Sequence, residues 1–216
     1  MAYRYTHILF DIDGTLIDTE RTGVESLIKT VQELMLVTLP YEKAYPFFGI
    51  PSHKVSGMLG YKDDQKFLDA WEENFVAMMH YMKPFPGVID LLHSLRGLGF
   101  KMGVVTSRSR HELDHDSNFT AMKEFFDFEI TAESTPKHKP EPEPALEYIR
   151  LASEAEGRKI LPSECIYVGD TIHDYGCGHG AGCAFALADW RSRGMQNIPA
   201  DFRFSTANDL LDYLIK

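Results

Sequence analysis

Two aspartates, Asp11 and Asp13, follow the apolar run Ile8-Leu9-Phe10 and precede Gly14-Thr15. An apolar run that ends in acids reads as a buried strand carrying both carboxylates at its carboxyl end. That edge is where α/β folds bind ligands. Two acids there invite a cation, and a cation held by Asp11 leaves Asp13 for proton transfer. Three more segments end in polar residues. The strand expected over 101–105 runs into Thr106 and Ser107. The strand over 128–130 leads to a loop with Lys139. The strand over 165–168 ends at Gly169-Asp170, with Asp174 just beyond. If these strands are parallel, their ends bring hydroxyls, a lysine and four acids to one edge.

The elements that must position these groups alternate along the chain. Helices are expected over 88–98, 144–155 and 209–215, with a weakly amphipathic helical region over 108–126. Short strands are expected over 185–187 and 202–204. Strand–helix alternation implies βαβ units and a mainly parallel, Rossmann-like α/β sheet. Between the first strand and Pro84-Phe85-Pro86-Gly87 the pattern is helical throughout. Val24, Leu27, Ile28, Val31, Leu34 and Met35 recur at helical spacing over 20–35, with Asp18 and Thr19 as possible N-caps. Ser52 can cap a short helix ending near Gly57 or Gly60, and a longer helix is expected over 63–82. This block is far longer than a usual βα connection. It reads as an all-helical domain, 18–83, inserted into a core made of 1–17 and 84–216.

Composition narrows the function. With 216 residues and 44% hydrophobic content, the chain can bury a sizeable core. A net charge of −10 argues against a nucleic-acid binder. No apolar run is long enough to span a membrane, and the first residues carry no apolar signal core. The three cysteines, Cys165, Cys177 and Cys183, show no framework spacing and suit a reducing compartment. The expectation is a cytoplasmic protein.

Taken in order, the four strand ends resemble the four motifs of the haloacid dehalogenase (HAD) superfamily. They are Asp11-Ile12-Asp13-Gly14-Thr15, the hydroxyl pair Thr106-Ser107, Lys139-Pro140-Glu141-Pro142, and Gly169-Asp170-Thr171-Ile172-His173-Asp174. The resemblance covers nearly the whole chain, including a helical cap between the first two motifs. It implies an Mg²⁺-dependent phosphatase working through an aspartyl phosphate. In that scheme Asp11 is the nucleophile and Asp13 the proton-transfer group. Thr106, with Ser107, binds phosphate, and Lys139 offsets negative charge. The Mg²⁺ ligands are Asp11, the Asp13 backbone carbonyl and Asp170, with Asp174 acting directly or through water. Members of the phosphoglycolate phosphatase, pyrophosphatase and β-phosphoglucomutase kind resemble the chain most. The expected partner is therefore a small phosphorylated substrate, with the chain a monomer or homodimer. A hexose-phosphate mutase is the alternative, and a non-catalytic binding protein on the same scaffold ranks below it.

In the cap, the turn Gly49-Ile50-Pro51-Ser52-His53-Lys54 resembles the loop that faces the catalytic edge in such proteins. This makes His53 and Lys54 candidate substrate contacts. Two other patterns point elsewhere. His111-Glu112-Leu113-Asp114-His115 fits the zinc-protease pattern, but nothing nearby is an obvious third ligand, and a polar helix face is the expected use. Gly176-Cys177-Gly178-His179-Gly180 does not follow a strand directly, so close helix–sheet packing is expected rather than a nucleotide loop.

Overall fold

The computed structural model describes residues 3–48, 50, 52–191 and 197–216, with the side chains of Ser52 and His53 outside that set. The strands are β1 (His7–Phe10), β2 (Ile17–Asp18), β3 (Lys83–Pro84), β4 (Lys101–Val105), β5 (Phe128–Ile130), β6 (Cys165–Gly169), β7 (Ala184–Ala188) and β8 (Phe202–Phe204). The helices are α1 (Glu20–Met35), α2 (Tyr41–Ala44), α3 (Ser52–Met58), α4 (Asp64–Ala77), α5 (Val88–Gly97), α6 (Arg110–His115), α7 (Ser117–Met122), α8 (Glu143–Glu156), α9 (Ile172–Gly180) and α10 (Ala207–Leu214). No helix among the described residues is long and apolar enough to cross a membrane. The chain divides into two compact units, Met1–Ile17 with Pro84–Lys216, and Asp18–Lys83.

The first unit is built on a six-stranded sheet in the order β5-β4-β1-β6-β7-β8. Every neighbouring pair is parallel. The α/β class expected from strand–helix alternation is therefore observed. From β1 the chain adds β4 and β5 on one side, then β6, β7 and β8 on the other. The order reverses at β1, and the switch point of such a sheet is where ligands bind. Phe10 pairs with Val104 on one side and Val168 on the other, so three strand ends finish level with one another. The ladder runs one step further on both sides: Asp11 N–H donates to the Val168 carbonyl (2.9 Å), and Thr106 N–H to the Ile130 carbonyl (2.9 Å). Strands buried on both faces are apolar without alternation, as Ile8, Leu9 and Phe10 of β1 are. Leu9, Val105, Tyr167 and Phe185 form one core layer with Tyr148 and Ile149 of α8 and Cys177 of α9. On the other face of β1, the Phe10 ring meets Phe126 edge-on.

The second unit has its own core of Val24, Leu27, Val31, Ala44, Val55 and Phe67. The α1 stripe also carries buried Ser26 and Thr30. Their hydroxyls accept from Trp71 Nε1 (2.9 Å) and Asn74 Nδ2 (3.0 Å) of α4.

Three local expectations change. The helix expected over 63–82 ends at Ala77 and gives way to a single tight turn, Met79–Tyr81. The chain must become extended before Pro84, which disfavours helix at the residue before it. Thr19 stands at the start of α1 without a side-chain cap bond; Asp18 takes the Glu20 N–H instead. The helical region over 108–126 is broken into α6 and α7, because Asp116 turns its carboxylate onto the N–H groups of Asn118 and Phe119 and starts a new helix.

Candidate active site

Asp11, Asp170 and Asp174 converge at the carboxyl ends of β1 and β6, with oxygens all within 4.8 Å of one another. All three are buried. Lys139 lies among them, its Nζ donating to Asp11 Oδ1 (2.6 Å) and Asp174 Oδ1 (2.7 Å). Burial alone would lower the lysine pKa, but Asp11 and then Asp174 raise it well above its usual value. Burial pushes Asp11 up to about 7, with Asp174 adding to the rise and Lys139 opposing it. Asp170 is raised well above the usual carboxylate range by burial, then by Asp174 and Asp11. Ionising a carboxylate away from water is costly unless a positive charge meets it.

The three acids are held differently. Asp174 sits in the first turn of α9, where its Oδ2 accepts from Thr171 N–H (3.0 Å) and Thr171 Oγ1 (2.6 Å). Its Oδ1 accepts from Lys139 and, at 3.4 Å, from the Tyr167 hydroxyl. Asp170 Oδ1 is buried and has no hydrogen-bond partner among the described residues. A buried carboxylate oxygen without a donor is unusual in a folded protein and points to a cation. An all-oxygen set of this kind suits a hard ion such as Mg²⁺. Asp11 and Asp170 offer the more open oxygens, while both Asp174 oxygens already accept hydrogen bonds, one of them from Lys139.

Gly14 makes the approach of Asp170 possible. It adopts φ +82°, and a Cβ placed there would lie 2.0 Å from Asp170 Oδ2. The turn that carries it is held by Gly14 N–H on the Ile17 carbonyl (2.9 Å) and by Trp190 Nε1 on the Thr15 carbonyl (2.7 Å).

Asp13 is not one of the three metal-spaced acids, though its charge is felt by Asp11, and it is gripped by Arg108. Arg108 Nη2 donates to Asp13 Oδ1 (2.7 Å) and Nε to Oδ2 (2.9 Å), while Nη1 reaches Asp116 Oδ2 (2.7 Å). Burial would weaken the guanidinium's hold on its proton, but Asp13 and Asp116 more than reverse that. Thr106 is buried and its Oγ1 accepts the Arg108 N–H (3.1 Å), whereas Ser107 is exposed. Of the sequence candidates, the structure brings together Asp11, Lys139, Asp170 and Asp174, and sets Asp13 and Thr106 beside Arg108. Lys54 is exposed on α3 of the second unit. Gly49, Pro51 and the His53 side chain lie outside the described residues. Arg108, Tyr167 and Thr171 escaped the sequence reading; the only signal for Arg108 was its place two residues after the strand-end threonine.

The two competing motifs have other uses. Glu112 accepts the Ser109 N–H (2.6 Å) in a capping box, and His115 Nδ1 donates to the His111 carbonyl (2.8 Å). Neither histidine joins a metal-spaced group among the described residues. In the glycine-rich segment, a Cβ on Gly178 would meet Tyr167 Cβ at 2.6 Å, and one on Gly176 would meet Pro140 Cβ at 2.7 Å. These glycines let α9 lie close on β6 and on the Lys139 loop.

A parallel sheet with acids at its switch point and a lysine among them defines a hydrolase fold of HAD type. The chain belongs to the haloacid dehalogenase-like hydrolase family, whose sequence profile matches residues 8–188. It is an enzyme of the phosphatase type within that family. It is 32% identical over 212 residues to pyrophosphatase PpaX of Bacillus velezensis, covering 96% of this chain and 95% of that one. It is 27% identical over 211 residues to PpaX of Bacillus cereus, with 96% and 95% covered. Among solved structures, a Lactobacillus plantarum protein described as a candidate phosphoglycolate phosphatase superposes with a TM-score of 0.84 at 24% identity, covering 99% of this chain and 100% of that one. CbbY of Rhodobacter sphaeroides, solved with phosphate, gives 0.79 at 21% identity, with 98% and 100% covered. At these identities the solved structures show a shared fold.

Proposed function

We propose that the protein is an Mg²⁺-dependent phosphatase for small phosphate monoesters or anhydrides, of the phosphoglycolate, sugar phosphate or pyrophosphate kind. The observation that carries this reading is the set of three buried carboxylates around Lys139, with Asp170 Oδ1 lacking a donor. The PpaX likeness supports an anhydride among the substrates. In the first step an Asp11 oxygen attacks phosphorus and the bond to the leaving oxygen breaks, with Asp13 supplying its proton. In the second step water attacks the aspartyl phosphate, Asp13 takes the water's proton, and Asp11 departs as carboxylate. Thr106 donates to a phosphate oxygen, with Ser107 beside it, and Lys139 balances charge on Asp11 and the phosphate. Asp11, the Asp13 carbonyl and Asp170 would hold Mg²⁺, with Asp174 acting directly or through water. When bound, the ion supplies the positive charge that lets a phosphate dianion approach a carboxylate. The helical unit 18–83 takes the part of the cap, and His53 and Lys54 are its proposed substrate contacts.

The test is phosphate release from pyrophosphate, phosphoglycolate, sugar phosphates and p-nitrophenyl phosphate, in chelator and after Mg²⁺ is restored. Acid-quenched enzyme given labelled substrate should carry label, and Asp11→Asn should not. Equal turnover in chelator would refute the cation, and equal labelling of Asp11→Asn would move the nucleophile. Conversion of glucose 1-phosphate to glucose 6-phosphate, in place of phosphate release, would favour a mutase.

A further inference from the structure

We propose that Arg108 is the positioning residue for Asp13, and that the helix break at Asp116 fixes it in place. This rests on the reading that Asp13 moves the proton in both steps. The guanidinium meets Asp13 with two parallel bonds, Nη2 to Oδ1 (2.7 Å) and Nε to Oδ2 (2.9 Å). A two-point grip of this kind sets the plane of a carboxylate as well as its distance, which a lysine's single charge would not do.

Arg108 is itself held from every side. Its Nη1 donates to Asp116 Oδ2 (2.7 Å), and Asp116 is fully buried. The other oxygen of Asp116 accepts Asn118 N–H (2.9 Å) and Phe119 N–H (3.4 Å) at the start of α7. The main chain of Arg108 is pinned as well: its N–H donates to Thr106 Oγ1 (3.1 Å), and its carbonyl accepts Ala132 N–H (2.9 Å) just past β5. A rigid path therefore runs from the α7 backbone through Asp116 and Arg108 to the Asp13 carboxylate. A purely structural pair would need only Asp116, the buried acid. Asp116 alone already balances the buried guanidinium, so the two-point fork on the part-exposed Asp13 calls for a further use.

A proton-transfer group displaced from its geometry costs on the order of 10²-fold in rate. The test uses p-nitrophenyl phosphate with Mg²⁺, because p-nitrophenolate leaves without a proton. Loss of Asp13 alignment should spare the first step and slow the attack of water. In Arg108→Met the steady rate should fall by about 10²-fold with KM within about threefold. An initial burst of p-nitrophenolate should approach the enzyme concentration, and acid-quenched phosphoenzyme should exceed that of wild type. Arg108→Lys, which keeps the charge without the fork, should recover part of the rate. Asp116→Asn, which keeps an N-capping side chain on α7, should show the same burst with a smaller fall. If Arg108→Met fails to fold, the burst in the other two variants decides. A folded Arg108→Met with a rate within threefold of wild type would overturn the proposal. So would a slowed rate with no rise in phosphoenzyme in any variant. Wild type that neither turns over nor takes label would instead overturn the proposed function itself.

Discussion

In protein stripped of divalent ions, Asp11→Asn should flatten the dependence of stability on pH. Asp11 is buried, and its pKa rises from the usual 3.8 to about 7. Between those values the folded chain keeps a proton that the unfolded chain has released. Stability from this group is therefore complete below about pH 4 and is lost as pH rises through about 7. A gap of roughly three units corresponds to about 4 kcal/mol over the whole window. About 2.5 kcal/mol of it falls between pH 5 and pH 8, since part is lost below pH 5. For a chain of this size that is about 5–10 °C in melting temperature. Asn keeps the shape and removes the titration. Thermal unfolding in chelator at pH 5 and pH 8 should show the variant gaining on wild type by this amount at the higher pH. Restoring Mg²⁺ should raise the wild-type melting temperature more at pH 8 than at pH 5, because the ion meets the charge that burial penalises. Parallel curves for wild type and variant would refute the reasoning, since the acidic cluster would then ionise without cost.

Two other expectations can be checked directly. Gly14→Ala places a methyl 2.0 Å from Asp170 Oδ2 at φ +82°; it should lower stability by about 1–3 kcal/mol and weaken the Mg²⁺-induced melting shift, read by calorimetry. Replacing His111 and His115 together by Ala should leave turnover within a few-fold and purified protein free of stoichiometric zinc by metal analysis.

The strand ends were legible because their logic is local. An apolar run ended by Asp, Thr or Gly-Asp marks a buried parallel strand meeting solvent, and β1, β4 and β6 do this in register. Lys139 could be placed because two prolines and its motif tie it to the same edge. Arg108 could not, because an arginine in a polar run looks solvated until Asp13, far along the chain, and Asp116, eight residues on, are folded around it. Asp116 was hidden for the same reason. Mid-helix polar residues are ordinary on an exposed face, and only the burial of its carboxylate reveals the break between α6 and α7. In unit 18–83 the apolar stripe of α1 was readable, but the Ser26–Trp71 and Thr30–Asn74 bonds depend on a partner helix far along the chain.

β2 and β3, where the chain enters and leaves unit 18–83, are hydrogen-bonded to each other. Just outside them, Phe85 N–H donates to the Leu16 carbonyl (3.0 Å). The two ends of the insertion are therefore fastened together, and closing the chain there costs nearly the same whatever length lies between, because loop entropy grows only logarithmically. With its own apolar core, the inserted segment can lengthen, shorten or exchange helices while β1 keeps its register against β4 and β6. Such a joint separates two evolutionary clocks. The sheet edge can stay fixed while the insertion drifts, each unit answering to its own core.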